Sequence, residues 1–307
     1  MRRDRVDPEL RPLLVVQFLA SGALGVFWGF VPIWGIHVLG ASPTQLGTTL
    51  LIEAGISIGA GILGGAASDV VGRRRVALAG WLGQAVVLAA LAGVGSRVWL
   101  GLALLVVLTV FGSPAMAASQ ALVTDLTREE DREAGYAAVR VASNLGVAVA
   151  PPCAAGVLAL SGWSALFLLQ AVIVAAALAV AVARIPRRGL EPRASGAGGD
   201  VSPVATILAD RRFMLFLAAA TLASLGFVAY ETALPLAAVG SYGLSPSQWG
   251  LLAAVNPAVV VLFQMRLTRL TAGTPLGRGS CSARSAWAAR SRSSSCGPPL
   301  AASSLSS

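Results

Sequence analysis

Lysine is absent from the chain, histidine occurs once, as His37, and cysteine three times. Only 12% of the residues are charged, about half the share of an ordinary soluble domain. Each scarcity removes an explanation. One histidine and the scattered Cys153, Cys281 and Cys296 offer neither metal-ligand spacing nor a disulfide framework. No phosphate loop or nucleophile–base arrangement is evident, so no catalytic residue is assigned and an enzyme is not expected. Nor does the chain open on a signal peptide, because its first apolar run is too long for one and further runs follow. Charge is too sparse for a soluble surface, while 56% of the residues are hydrophobic. What remains is an integral membrane protein whose main partner is the lipid bilayer.

The chain is rich in long apolar segments. Crossing hydrocarbon takes roughly 20 helical residues. Eight segments reach or approach that length, over residues 13–38, 46–68, 76–96, 98–123, 134–160, 163–183, 213–239 and 248–265. They are continuous rather than alternating, so they are helices and not barrel strands, and the expected fold class is an all-α integral membrane protein. The net charge is +9, and all 23 basic residues are arginine. They cluster in every second connection: Arg2, Arg3, Arg5 and Arg11; Arg73, Arg74 and Arg75; Arg128 and Arg132; Arg184 to Arg212; Arg266 and Arg269. Between these stand only Arg97 and His37. This alternation places the N-terminus in the cytoplasm. No aromatic interleaving accompanies the arginines, and positive inner loops explain them more simply than nucleic acid does.

Composition also divides the chain. Residues 1–183 hold six spans, 184–212 form a flexible connection containing PRRGLEPRASGAGGD, and 213–271 hold two more spans. Six helices, a linker and a fresh set are how two membrane bundles would be joined. From Ala272 the apolar periodicity stops, and 11 of the last 28 residues are serine. Residues 272–307 therefore read as a disordered tail. Serine, arginine and proline in that mixture also fit a GC-rich gene read out of frame, with a shift between Thr274 and Arg278. Cys153, inside an apolar run, reads as packed.

Two stretches carry motifs. The first is Gly65-x-x-x-Asp69-x-x-Gly72-Arg73-Arg74, between spans two and three. Gly64 and Gly65 permit close helix approach. Gly72 permits a tight reversal. Asp69 meets the unfavourable end of a helix dipole and requires a cationic partner, which Arg73 and Arg74 can supply in part. The second is YAAVRVASNLGVAVAPPCAAG in span five, with Arg140, Asn144, Gly146, Pro151 and Gly156. The same stretch also reads as a plain packing seam. Its prolines are expected to bend the helix or loosen its hydrogen bonds. Glu53 in span two, Arg140 in span five, and Glu231 beside Tyr230 in span seven are charges inside spans, where each costs roughly 3 kcal/mol and usually faces a bundle interior. Glu53 and Glu231 are candidates for carrying protons or contacting substrate; structural hydrogen bonding is the competing role. Phe27, Trp28, Phe30 and Trp34 are candidates to line an apolar solute cavity, with interfacial anchoring equally open to Trp34, and Pro32 is expected to kink the helix near them. Gln17, Gln84, Gln120 and Asn256 suit interhelical hydrogen bonding.

The first motif resembles the loop 2–3 signature of the major facilitator superfamily, with Val70 where a basic residue is usual. The second resembles that family's fifth-helix signature in proton-coupled drug exporters, with Ala150, Ala154 and Ala155 in place of glycines. The resemblance covers residues 12–271. It implies two six-helix bundles, of which the second is incomplete here, and movement of a small-molecule substrate by alternating access. It assigns Gly65, Asp69, Gly72, Arg73 and Arg74 to a cytoplasmic conformational latch. The function expected is proton-coupled efflux of amphipathic compounds by a monomer in a bacterial inner membrane, with a proton gradient and no cofactor or metal. The alternatives are an uptake permease for a small metabolite and a non-transporting fragment. An apolar cavity would favour export and a densely polar one uptake. The topology makes a direct prediction: tags placed in the Ala197 and Gly162 connections will label from opposite faces of the membrane, and labelling from one face would refute it.

Overall fold

The computed structural model describes residues 8–186, 210–253, 255 and 259. It is helical, in the order α1 (Arg11–Trp28), α2 (Pro43–Val71), α3 (Arg73–Ala92), α4 (Val98–Asp125), α5 (Arg132–Leu160), α6 (Gly162–Arg184), α7 (Arg211–Gly240) and α8 (Pro246–Ala253). Among the described residues, seven helical stretches are long and apolar enough to cross a membrane. The first runs from Arg11 to Val38 and the last from Phe213 to Gly240. The shortest, α3, has 20 residues, about 30 Å at 1.5 Å per residue. Only the start of the eighth expected span is among the described residues. Most of the 184–212 connection, and the 272–307 tail with its reading-frame question, lie outside them.

Spans begin and end where local chemistry directs. Ser42 opens α2 with a capping box: its Oγ accepts from Gln45 N at 3.2 Å, and Gln45 Oε1 accepts from Ser42 N at 2.8 Å. Pro43 fills the first helical position. At α8, Ser245 and Gln248 repeat both bonds at 3.2 and 2.8 Å, with Pro246 in the same place. The shared text is S-P-x-Q-x-G, at 42–47 and again at 245–250. The repeat is what a second bundle, starting at α7, would show at its own second helix.

Two expectations are revised, and the kink expected at Pro32 becomes specific. Span one is not a continuous helix: it breaks at Gly29–Phe30 and ends in a π-helix, Trp34–Val38. Pro32, which donates no amide hydrogen, sits at the start of the turn that resumes after the break, where that missing bond is tolerated. The arginines at 73–75 are not in a loop but form the first turn of α3. The whole reversal is Gly72, at φ 107°, in a region glycine adopts freely. Cys153 is exposed rather than packed; its neighbours Ala150, Ala154 and Ala155 are among the buried residues of its helix.

The first six helices pair according to a rule. The strongest packing joins α1 to α5 and α4 to α2, α1 to α6 and α4 to α3, with α3 against α6. Exchanging α1 with α4, α2 with α5 and α3 with α6 leaves this set unchanged. Two three-helix repeats thus form the bundle, and an odd number of spans inverts the second relative to the first. Glycines enable the matching crossings. Gly146 of α5 meets the backbone of α1 at Phe18 and Gly22, and Gly64 of α2 meets Pro114 of α4. No Cβ fits at either place without displacing backbone. The core itself is drawn from α1, α3, α4 and α6, with Leu13, Trp81, Leu105, Leu122, Phe167 and Ala177 all buried. Elsewhere the exterior is apolar: Leu51, Ile62, Trp99, Leu160 and Leu215 are exposed, as a lipid-facing surface requires.

The Gly146 crossing can be tested. Gly146→Val should destabilise the bundle by roughly 3 kcal/mol or more, because over-packing here pushes on backbone. Gly156→Val, where a Cβ meets nothing within 4 Å, should change little. Thermal unfolding in detergent reads both, and equal effects would contradict the assigned seam.

Candidate functional site

Two polar constellations interrupt the apolar bundle. The first lies at the end where α2 turns into α3. Asp69 and Asp125 each stand at a helix C-terminus, where the dipole disfavours an anion. Arg73 answers both. Its Nη1 donates to Asp125 Oδ1 at 2.7 Å and to Thr124 Oγ1 at 3.2 Å, and its Nη2 donates to Asp69 Oδ1 at 3.1 Å. Nη1 also reaches the Ala121 carbonyl at 3.3 Å. Arg74 turns the other way and caps α6, donating to the carbonyls of Val182 at 2.9 Å and Ile185 at 3.2 Å. Two consecutive arginines thereby fasten the start of α3 to the ends of α2, α4 and α6. Among the latch residues Gly65 stays clear of close contact, while the buried Gly72 supplies the turn.

Burial ranks the two ion pairs. The Asp69 side chain is 51% exposed and that of Asp125 13%, so solvent weakens the first pair much more than the second. Asp125 was not singled out in the sequence. Its signal was the acid ending an apolar run in LVTDLT, the same placement that drew attention to Asp69.

The second constellation surrounds a cavity of about 390 Å³ among α1, α2, α3, α4 and α6, with Thr232 of α7 at its wall. The lining is mostly apolar, including Ala23, Leu24, Leu88, Leu108, Met116 and Val174. Glu53, Ser57, Gln84, Thr109, Ser113 and Gln170 interrupt it. On α2 the facing residues are Leu50, Glu53, Ala54 and Ser57, the spacing of one helix face. Ser113 Oγ donates to Ser57 Oγ at 2.9 Å. Glu53 is 4% exposed; Thr109 hydrogen-bonds its carboxyl, but Oε1 has no partner among the described residues. Gln170 is 1% exposed, and neither its Oε1 nor its Nε2 has one. Gln170 escaped sequence reasoning too, although it is the single polar side chain between Ser164 and Arg184.

The other candidates fall in different places. Arg140 and Asn144 share a face of α5, as their spacing implied, and line a separate, more polar cavity of about 600 Å³ with Gln120, Tyr136 and Ser143. Gly146 and the buried Pro151 lie on the packed side of α5, and the helix runs on through both of its prolines. Gly156 faces open space. Phe30 is buried in a cluster with Val26, Ile33, Ala150, Ala154 and Trp249, apart from the 390 Å³ cavity. Trp34 is 2% exposed and packs edge-on against Phe167 at 5.0 Å, not at an interface. Glu231 is half-buried beside Thr232. The side chains of Phe27, Trp28 and Tyr230, and all of Asn256, lie outside the described residues. Gln17 does bridge helices, donating to Ser119 at 2.8 Å. Where span one breaks, the Gly29 carbonyl accepts from Trp249 Nε1 of α8 at 2.9 Å. Among the described residues no cluster of His, Cys, Asp or Glu could hold a metal.

The comparisons with known proteins fit this architecture. A family model described as Major Facilitator Superfamily matches residues 13–283. No curated protein matches the chain. Among solved structures, the peptide transporter POT superposes with a TM-score of 0.62 at 18% identity, over 85% of this chain and 68% of that one. A bacterial homologue of the human drug peptide transporters superposes at 0.60 and 17%, over 86% and 71%. The POT family transporter solved with 5-aminolevulinic acid gives 0.55 and 17%, over 82% and 50%. The chain thus spans from half to about seven-tenths of the length of these proteins, and at such identities the likeness is one of fold.

The latch geometry predicts a pattern of stabilities. Arg73→Ala should cost roughly 2 kcal/mol, because it removes the cation 2.7 Å from the mostly buried Asp125 carboxylate. Asp69→Asn should cost less than about 1 kcal/mol. Adding Asp125→Asn to Arg73→Ala should recover part of the loss, and a double variant no more stable than Arg73→Ala would contradict the pairing. Unfolding in detergent measures all three.

Proposed function

The chain belongs to the Major Facilitator Superfamily, and from that premise we propose that it takes up a small metabolite through a bacterial inner membrane by proton-coupled secondary transport. The observation that carries the proposal is Glu53, a carboxyl 4% exposed with Oε1 unpartnered, at the wall of a cavity within the bundle. An unpaired charge buried in a span is costly, and a proton or a ligand group removes that cost. A carboxyl so placed can bind a proton with the solute and release both on the other side. Uptake of metabolites is also in keeping with the fold neighbours, which are named as peptide transporters, one of them holding 5-aminolevulinic acid. The Asp69–Arg73–Asp125 cluster is assigned to latching one end of the bundle, and that end to the cytoplasm.

A second reading is proton-driven export of amphipathic compounds. The mostly apolar lining of the same cavity favours it. Both readings use Glu53 and differ in the direction of net flux.

Purified protein in vesicles with an acidic exterior should concentrate its solute inside. One proton per solute sustains about tenfold accumulation per pH unit. Glu53→Gln should still exchange labelled solute for unlabelled solute but lose gradient-driven accumulation. Accumulation undiminished in Glu53→Gln would overturn the role of this residue, and proton-driven depletion of the interior would establish export.

A further inference from the structure

Gln170 stands in the middle of α6, in the run ALFLLQAVIVAAALAVAVA. A polar amide in such a span ordinarily bonds to a neighbouring helix, as Gln17 does to Ser119 at 2.8 Å. Gln170 does not: with its side chain 1% exposed, both amide atoms are without partners among the described residues. A buried donor and a buried acceptor left unmade are each destabilising. Gln170 lines the 390 Å³ cavity, a volume within the range of small-molecule sites. The unmet bonds and the cavity therefore coincide.

The amide itself selects the partner. A carboxamide edge presents one acceptor and one donor side by side. Its complement is a group with N–H and C=O adjacent on one edge, as in a lactam, a primary carboxamide or a pyrimidine-type ring. A trans amide points the two groups in opposite directions and can satisfy only one of them. Because both atoms are unpartnered, exchanging the positions of O and N in the side chain leaves the argument intact. The rest of the wall, from Ala23, Leu88 and Val174, suits an apolar body.

We infer that Gln170 is a specificity-determining residue of the cavity and that the cavity takes small amphipathic compounds with a cis-amide edge, the ring or chain lying against α1 and α3. The inference rests on the transport reading for its purpose, but it assigns recognition to Gln170 and leaves proton coupling to Glu53. The two roles therefore fail separately.

Caprolactam is a suitable probe, with cycloheptanone as the isostere lacking N–H. Binding to the full chain in detergent is followed by calorimetric titration and by the shift in Tm. The lactam should bind at least about tenfold more tightly than the ketone, the equivalent of one buried hydrogen bond left unmade. Gln170→Leu should abolish that preference while its own ligand-free Tm equals or exceeds that of the unsubstituted chain. Gln170→Met gives the same comparison should the leucine variant fail to fold. The lactam preference is read from binding with no proton gradient present, so it is independent of the accumulation assay that tests Glu53. Equal binding of lactam and ketone, or a preference surviving in Gln170→Leu or Gln170→Met, overturns the inference. A ligand-free Tm that falls in both Gln170 variants likewise overturns it, by showing that the amide is bonded within the protein.

Discussion

Hydrocarbon offers no hydrogen bonds, and that constraint organises everything else in this molecule. Within a span the backbone must satisfy itself, so the chain is helical throughout its described core. The helices then associate by close packing rather than by excluding water. Gly146 against Phe18 and Gly22, and Gly64 against Pro114, are the places where the two inverted repeats bring their backbones together. Where winding fails, at Gly29–Phe30, the exposed carbonyl is met by the indole of Trp249. Where helices end, Arg73 and Arg74 reach the carbonyls and carboxylates that water would otherwise serve.

The same constraint gives the exceptions their meaning. In a medium where polar groups are paired as a rule, Glu53 Oε1 and both amide atoms of Gln170 lack partners among the described residues, and the two side chains border one cavity. Their cost is carried by the surrounding packing of α1, α3, α4 and α6. The proposed cycle, which binds and releases a proton and a solute, would satisfy both side chains. The latch lies at the end of the bundle, built on exposed and half-buried charges.

Much of this was legible in the residues. Apolar length gave eight spans, of which seven are membrane-length helices among the described residues, and the Asp69–Arg73 pair followed from the requirement of an acid at a helix C-terminus. Arginine at the start of α3 was hidden because a cation there opposes the dipole; only the partners on α4 and α6 explain it. Asp125 was hidden because one acid in a loop is ordinary until its cation is known. Gln170 needed the absence of a partner, which no sequence displays. Trp34 shows the opposite limit: an aromatic near a span end fits an anchor, a cavity wall and a core equally well, and packing against Phe167 decided for the core. The S-P-x-Q-x-G repeat was open to view but gained meaning only when both copies proved to cap equivalent helices.

The central claim is that the polar residues of α2 face an aqueous, ligand-accessible cavity and not lipid. The rate at which a small, water-soluble thiol reagent modifies single cysteines tests it most directly. Ser57→Cys would report the cavity face and Val172→Cys the outward face of α6, in a chain whose own Cys153, Cys281 and Cys296 are changed to serine. The account predicts rapid modification at position 57 and almost none at 172. Equal rates, or a position 57 as inert as 172, would contradict it.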